Sequence, residues 1–238
     1  MHARRSLRRI AYAGNRRHCP VCGKSFRCFV SAGRPPREDA LCVNCGALER
    51  HRLLWRFLHR YPELMRKAGT KLLHVAPEPC VSDRLRALAG TGYLSADLLD
   101  PRAMEQMDIC DIRHPDASFD AIYCNHVLEH VEDDRKALRE FHRVLRDTGW
   151  AILMVPTYPG PTCEDPSIAT PQGRLAAFGQ EDHVRRYGED FRERLVEAGF
   201  QATVFGPHDL ATESEIEHMG LTAAAGDLYF CTKGEWRR

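Results

Sequence analysis

DICDIRHPDASFDAIYCNHVLEHVEDDRKALREFHRVLRDTGWAILMVP, residues 108–156, is the most informative part of the chain. Within it FDAIYCN, residues 119–125, is a short apolar run between polar residues and reads as a strand. A helix follows from about Asp133 to Arg146, and a turn at Gly149 leads into WAILMVP, residues 150–156, a second apolar strand. Strand, helix, strand is the unit from which parallel sheets are built.

The alternation continues on both sides. KLLHVA (71–76), YLSAD (93–97), ATVFG (202–206) and DLYFCTK (227–233) read as strands. VSDRLRALAG (81–90) and FRERLVEAGF (191–200) read as helices that end at Gly90 and Gly199. A loop rich in Pro, Gly and Thr spans Pro156 to Pro171. Together these predict an α/β fold over residues 71–238, with a doubly wound, mostly parallel sheet. Upstream, residues 47–70 form a linking helix, with Leu48, Leu54, Trp55 and Leu58 at helical spacing. Residues 19–46 are cysteine- and turn-rich, and residues 1–18 form a basic arm whose Arg4, Arg5, Arg8 and Arg9 share one helical face.

The composition is that of a soluble globular protein, 43% hydrophobic and 28% charged over 238 residues. It excludes wholesale disorder and collagen-like repeats, and no apolar run reaches the ~18–20 residues of a membrane span. The segment Met1 to His18 has no apolar stretch of the secretory kind, which predicts a cytoplasmic location. The net charge of +1 conceals a split. Residues 1–60 hold 14 Lys/Arg and 3 Asp/Glu, or +11, and residues 61–238 hold 20 and 30, or −10. The first part is expected to face something anionic, such as nucleic acid, anionic lipid or a phosphorylated carrier.

Four of the 10 cysteines form two knuckles, Cys19 with Cys22 and Cys42 with Cys45, each followed by a glycine, Gly23 or Gly46. Paired knuckles at this spacing predict a tetrahedral zinc ribbon. Four protein ligands leave no open position, so the expected zinc is structural. Lys24, Arg27, Arg34 and Arg37 give the ribbon a charge that favours substrate recognition over mere support. Cys110, Cys124 and Cys231 lie in apolar surroundings and read as small core residues.

With these elements in order, Lys71 to about Phe205 resembles the class I S-adenosylmethionine-dependent methyltransferases of the type 11 group. The carriers are the ordered elements of residues 108–156, including HVLEHV, and DHVRRYGEDFRERLVEAGF, residues 182–200. The resemblance implies a Rossmann-like methyltransferase domain with S-adenosylmethionine as cofactor. In KLLHVAPEP, His74 then stands at the family's acidic position and Ala76 and Glu78 at its first two glycine positions. This is a departure, since Pro77 and Pro79 offer no N–H, and it bears on cofactor affinity, not on fold. Glu78 is expected to offer a carboxylate to the methionine amino group. Asp97 matches the ribose-binding acid, Asp108 and Ile109 the adenine contact, and Asn125 and His126 the strand end beside the cofactor and the substrate mouth.

Two other readings compete. HVLEH, residues 126–130, fits the H-x-x-E-H metalloprotease expression. Its strand-end context and the lack of a separate ligand segment favour Glu129 and His130 as loop anchors. An Asp after a strand, such as Asp97, also caps the next helix often enough, but its place before the Asp108 segment favours cofactor binding. The expected reaction is methyl transfer to a small-molecule, glycan or carrier-linked acceptor, at oxygen. His126 and His183 are the candidate bases, and Tyr187 and Arg185 line a lid formed by the preceding loop. Alternatives are an RNA methyltransferase using the basic ribbon, which offers few aromatics beyond Phe26 and Phe29, or a zinc-ribbon binding protein with a non-catalytic methyltransferase-like domain.

Overall fold

The computed structural model describes residues 10–33, 35–65 and 69–236. The arginines of the basic arm at positions 4, 5, 8 and 9, and Arg34, lie outside them. The chain folds as two units whose segments interleave. One comprises Met1–Lys67, Glu78–Leu85 and Phe205–Gly226; the other Ala68–Pro77, Arg86–Val204 and Asp227–Arg238. The sequence reading divided the chain after residues 18, 46 and 70, whereas the first unit spans the first three parts and recruits two later segments.

Its own core shows why. The strands β1 (Arg17–Cys19) and β2 (Lys24–Phe26) form one antiparallel hairpin, and β3 (Val30–Ala32) and β4 (Arg37–Leu41) another. At the two knuckles the amide of Gly23 donates to the Cys19 carbonyl (2.8 Å) and that of Gly46 to Cys42 (2.9 Å). Both glycines have positive φ, 65° and 77°, which a side chain would strain. Helix α1 (Glu49–Arg60) buries Leu53, Leu54, Phe57 and Leu58, and Phe57 meets Phe205 edge-on at 5.0 Å. Arg52, fully buried on α1, donates to the carbonyls of Ala40 (2.8 Å), Ala47 (2.9 Å) and Gly220 (2.9 Å). A buried guanidinium without acceptors is costly, so residues 205–226 complete this unit. Arg17 is likewise consumed by Asp39 (3.0 Å) and the Glu217 carbonyl (2.7 Å), and Arg37 by Glu49 (3.0 Å).

The second unit is built on a seven-stranded sheet. Its strands are β5 (Leu72–Val75), β6 (Tyr93–Asp97), β7 (Glu105–Gln106), β8 (Phe119–Asn125), β9 (Leu145–Met154), β12 (Gln201–Phe205) and β13 (Leu228–Thr232). The order is β12-β13-β9-β8-β5-β6-β7. The pairs β5–β6, β5–β8, β6–β7 and β8–β9 are parallel, and β13 runs antiparallel to β9. This is the expected doubly wound, mostly parallel architecture. All four residues of β5 are buried, as befits a central strand covered on both faces. The chain winds outward from β5 to β7 and then returns to the other flank of β5 with β8. The reversal opens a crevice at the carboxyl ends of β5 and β8.

Helix α3 (Asp134–Val144; α2 is Pro79–Ala89) shows how the sequence covers the sheet. Asp133 caps it, accepting from the Lys136 amide at 2.8 Å. Ala137, Leu138, Phe141 and Val144 are fully buried in the core that contains Ile122, Cys124 and Leu153. Each large apolar side chain buried in this way contributes about 1.5–3 kcal/mol. Among the described residues, no helix is long and apolar enough to cross a membrane.

Candidate active site

A cleft of about 580 Å³ lies at the carboxyl ends of β5, β6, β7 and β8. Its volume is in the range of small-ligand sites. Val75, Leu98, Leu99, Met107, Ile109, Val127 and Val131 make most of its wall apolar, and Asp97, Asp108, His130, Glu132, Asp133 and Lys136 also line it.

Each strand delivers its end residue differently. After β5, Ala76 has φ 48°, one of four described non-glycine residues with positive φ. Its amide donates to the Ala96 carbonyl at 2.8 Å, which holds the turn. The backbone thus takes, with a small side chain, a conformation usual for glycine. After β6, Asp97 Oδ1 accepts the amides of Leu99 and Asp100, both at 2.8 Å. Oδ2 makes no hydrogen bond among the described residues, and Asp97 lines the cleft. β6 is followed by β7 and not by a helix, so Asp97 caps a turn in place of the helix of the competing reading, while the residue lines the cleft. After β7, Asp108 Oδ1 accepts the Cys110 amide at 2.8 Å, and Ile109 is 6% exposed beside it. The structure thus brings Ala76, Asp97, Asp108 and Ile109 to one cleft.

The other expected site residues stand elsewhere. His74 is fully buried inside β5, bonded through Nδ1 to the Tyr93 hydroxyl (2.9 Å) and packed on Tyr123 at 5.1 Å. Glu78 belongs to the first unit, where it pairs with Arg50 (2.9 Å) and His51. Asn125 is buried at the end of β8. His126 follows with φ 53°, partly exposed, its Nδ1 3.4 Å from Oε1 of the buried Glu129. His183 is only 2% exposed; its Nδ1 meets the Phe178 carbonyl at 3.3 Å and its ring stands edge-on to His130 at 4.7 Å. Burial, then the neighbouring His130, holds His183 below the usual histidine pKa, which favours its neutral form.

The expected lid is pinned. The amide and hydroxyl of Thr162 donate to Asp190 Oδ1 at 2.8 and 2.6 Å. Strand β10 (Cys163–Glu164) pairs with β11 (Arg185–Arg186). Glu164 bridges Arg194 (2.8 Å) and Arg185 (3.1 Å). Hydrogen bonding to Arg194, followed by Arg185, holds the Glu164 carboxyl down at about 2. Arg185 is buried and donates to the carbonyls of Leu128 (2.9 Å), Val131 and Glu132 (2.9 Å). Tyr187, also buried, donates to Asp134 at 2.6 Å. Neither residue lines the cleft; Arg185 holds the turn that carries His130 to it. Leu98 and Leu99, 53% and 81% exposed, are cleft residues that the sequence reading missed, although an apolar pair directly after the ribose-type acid was visible.

In the first unit the sulfurs of Cys19, Cys22, Cys42 and Cys45 all lie within 4.8 Å of one another. Cys19 Sγ is 3.6 Å from Cys45 Sγ, and Cys22 Sγ 3.8 Å from Cys42 Sγ. Metal–sulfur bonds of about 2.3 Å in a tetrahedron place sulfurs about 3.8 Å apart, so the donor set fits such an ion.

Residues 61–153 match the family model of a methyltransferase domain. Over 95 residues the chain is 33% identical to a malonyl-[acyl-carrier protein] O-methyltransferase of Halorhodospira halophila. That match spans 39% of this chain and 30% of the relative's length. Similar solved structures include an S-adenosylmethionine-dependent methyltransferase from Mesorhizobium loti, with TM-score 0.48, 18% identity, and 72% of this chain and 96% of that one covered. Another is a phosphoethanolamine N-methyltransferase of Haemonchus contortus in complex with S-adenosylhomocysteine, with TM-score 0.47, 15% identity, and 78% and 53% covered.

Proposed function

We propose that the second unit is an S-adenosylmethionine-dependent methyltransferase acting on an oxygen of a small-molecule, glycan or carrier-linked acceptor. The first unit, in this reading, is a structural zinc ribbon. The observation that carries the enzyme reading is the meeting of Asp97, Asp108 and Ile109 in one cleft at the strand ends. The methyltransferase-domain match over residues 61–153 supports it. The carrier-linked name of the Halorhodospira relative supports the acceptor class.

When bound, S-adenosylmethionine supplies an electrophilic methyl carbon on a sulfonium. Asp97 would hold the ribose hydroxyls, since Oδ1 is occupied in keeping its loop in place and Oδ2 is left to accept. Asp108 would accept a hydrogen bond from the exocyclic amine of adenine, and Ile109 and Leu98 would supply apolar walls. His126, next in the chain to the cleft residue Val127, is the candidate base for the acceptor's hydroxyl proton, with Glu129 Oε1 3.4 Å from its Nδ1 to orient the ring. His183, buried against His130, supports that ring instead of meeting the acceptor.

The ribbon's ligands hold zinc with no open position, so it stabilises the first unit. A four-thiolate zinc centre carries two negative charges, and the buried Arg52 partly offsets them: burial disfavours its charge, while Cys19 and its neighbours favour it. With Arg17, Arg37 and Arg52 engaged internally, support of the fold is the ribbon's better role.

Calorimetric titration of S-adenosylmethionine into the zinc-loaded full chain tests the enzyme reading. One binding event per chain, displaced by S-adenosylhomocysteine, is expected, with methylated product in a hydroxyl-acceptor screen. Absence of binding sinks it. Elemental analysis should find dialysis-resistant zinc, one equivalent of which Cys42→Ser removes; equal zinc in both proteins would refute the ribbon.

A further inference from the structure

A second set of metal-type ligands converges apart from the ribbon. One ligand atom each from Glu129, His130 and His183 lies within 4.8 Å of the others. Glu129 and His130 sit on the turn after β8, and His183 arrives from the segment leading into β11.

The two rings are oriented in the manner of metal ligands. His183 Nδ1 faces the Phe178 carbonyl, an acceptor, so the proton resides on Nδ1 and Nε2 carries the lone pair. That Nε2 is buried and takes no hydrogen bond among the described residues. His130 Nδ1 lies 3.2 Å from Asp182 Oδ2, which likewise leaves its Nε2 as the ligand atom. A carbonyl or carboxylate behind each imidazole is the usual outer support of a protein metal site. Metal bonds of about 2.0–2.1 Å bring such donors to about 3.4 Å, so small side-chain rotations close the set.

We propose that Glu129, His130 and His183 bind a divalent transition-metal ion of the zinc class, with coordination positions left open for an oxygen ligand. Two imidazoles and one carboxylate suit zinc, iron(II) or manganese(II). The set differs from the H-x-x-E-H pattern, for it uses Glu129 as a ligand and His183 in place of His126. His130 also lines the cleft, so the ion stands at its wall. Its use rests on the methyl-transfer reading: the acceptor is an oxygen that coordinates the ion and gives up its proton more readily.

The test uses the full chain loaded with a single equivalent of zinc, which the four-thiolate ribbon takes first, then titrated with cobalt(II) and followed by calorimetry and visible absorption. One further equivalent of cobalt is expected, with ligand-field bands and no sulfur charge-transfer. His130→Ala, at an exposed ring, should weaken cobalt binding at least tenfold while the melting curve holds. Asp182→Asn, which removes outer support only, should weaken it by about 10–100-fold. No second equivalent in the wild type, or equal cobalt affinity in His130→Ala, overturns the site and leaves Glu129, His130 and His183 as packing. S-adenosylmethionine titrated into the same samples reads the cofactor separately, so either conclusion can fail alone.

Discussion

Replacing Asp97 by Asn separates two jobs held by one carboxylate. Oδ1 accepts two amides, those of Leu99 and Asp100, at 2.8 Å each. A carboxamide oxygen accepts the same pair, so the loop survives. The negative charge offered to the ribose by Oδ2 does not. A hydrogen bond to a charged group contributes about 1.5–3 kcal/mol. Asp97→Asn should therefore weaken S-adenosylmethionine binding by about 10- to 150-fold. Asp97 is only half-buried, which favours the lower part of that range. Asp97→Ala removes the loop's acceptor as well, so it should lose affinity and also melt earlier than Asp97→Asn. Calorimetric titration with parallel thermal melts reads both quantities. A folded Asp97→Asn protein that binds within twofold of wild type would refute the ribose assignment, and identical melting of the Asn and Ala variants would refute the loop role.

Ala76→Gly should hold or raise the melting temperature, because relief of about 1–2 kcal/mol of left-handed strain outweighs a backbone entropy cost of about 0.5–1 kcal/mol; a loss beyond 1 kcal/mol counts against the strain. Arg185→Ala, which strips the carbonyls of Leu128, Val131 and Glu132 of a buried cation, should cost about 3–5 kcal/mol, or about 10 °C in melting temperature. A shift of less than about 3 °C would contradict the anchoring role. The Glu164 carboxyl is depressed from 4.5 to about 2, so its stabilisation is present above about pH 4.5 and is lost as pH falls toward 2. Glu164→Gln should flatten that part of the acid-stability curve, and superimposable wild-type and variant curves would disprove the bridge.

Much of the sheet was legible because its strands are short apolar runs separated by helices with glycine ends. Asp97, Asp108 and Ile109 could be placed because the family resemblance assigned them and their strand-end positions face the crevice in this architecture. His74 could not, since β5 is buried on both faces and offers no alternation to say which way a side chain turns. His183 looked available because it follows a long loop, and only the pairing of β10 with β11 and the clasp of Glu164 show that loop tied down. The anchoring role of Arg185 has no local sequence signal, for its acceptors are carbonyls more than fifty residues earlier. Two helices were missed despite good signals. Thr170 caps Pro171–Phe178 with proline in the first turn, and Thr212 with Glu215 makes a capping box before Glu213–Met219.

Arg52 also constrains the order in which the molecule can be finished. Its acceptor at Gly220 lies 168 residues further along the chain, and the Glu217 carbonyl that receives Arg17 lies 200 residues beyond it. At roughly 5–20 residues per second, a ribosome delivers the Gly220 carbonyl about 10–30 s after Arg52. During that interval the cysteine knuckles can form, since their bonds are local, but the guanidinium on α1 has only part of its acceptor set. The N-terminal unit is thus completed after the sheet strands β5 to β9 have been made, although its first strand leaves the ribosome before them. Any fragment that stops before Phe205 carries Arg52 without the Gly220 carbonyl.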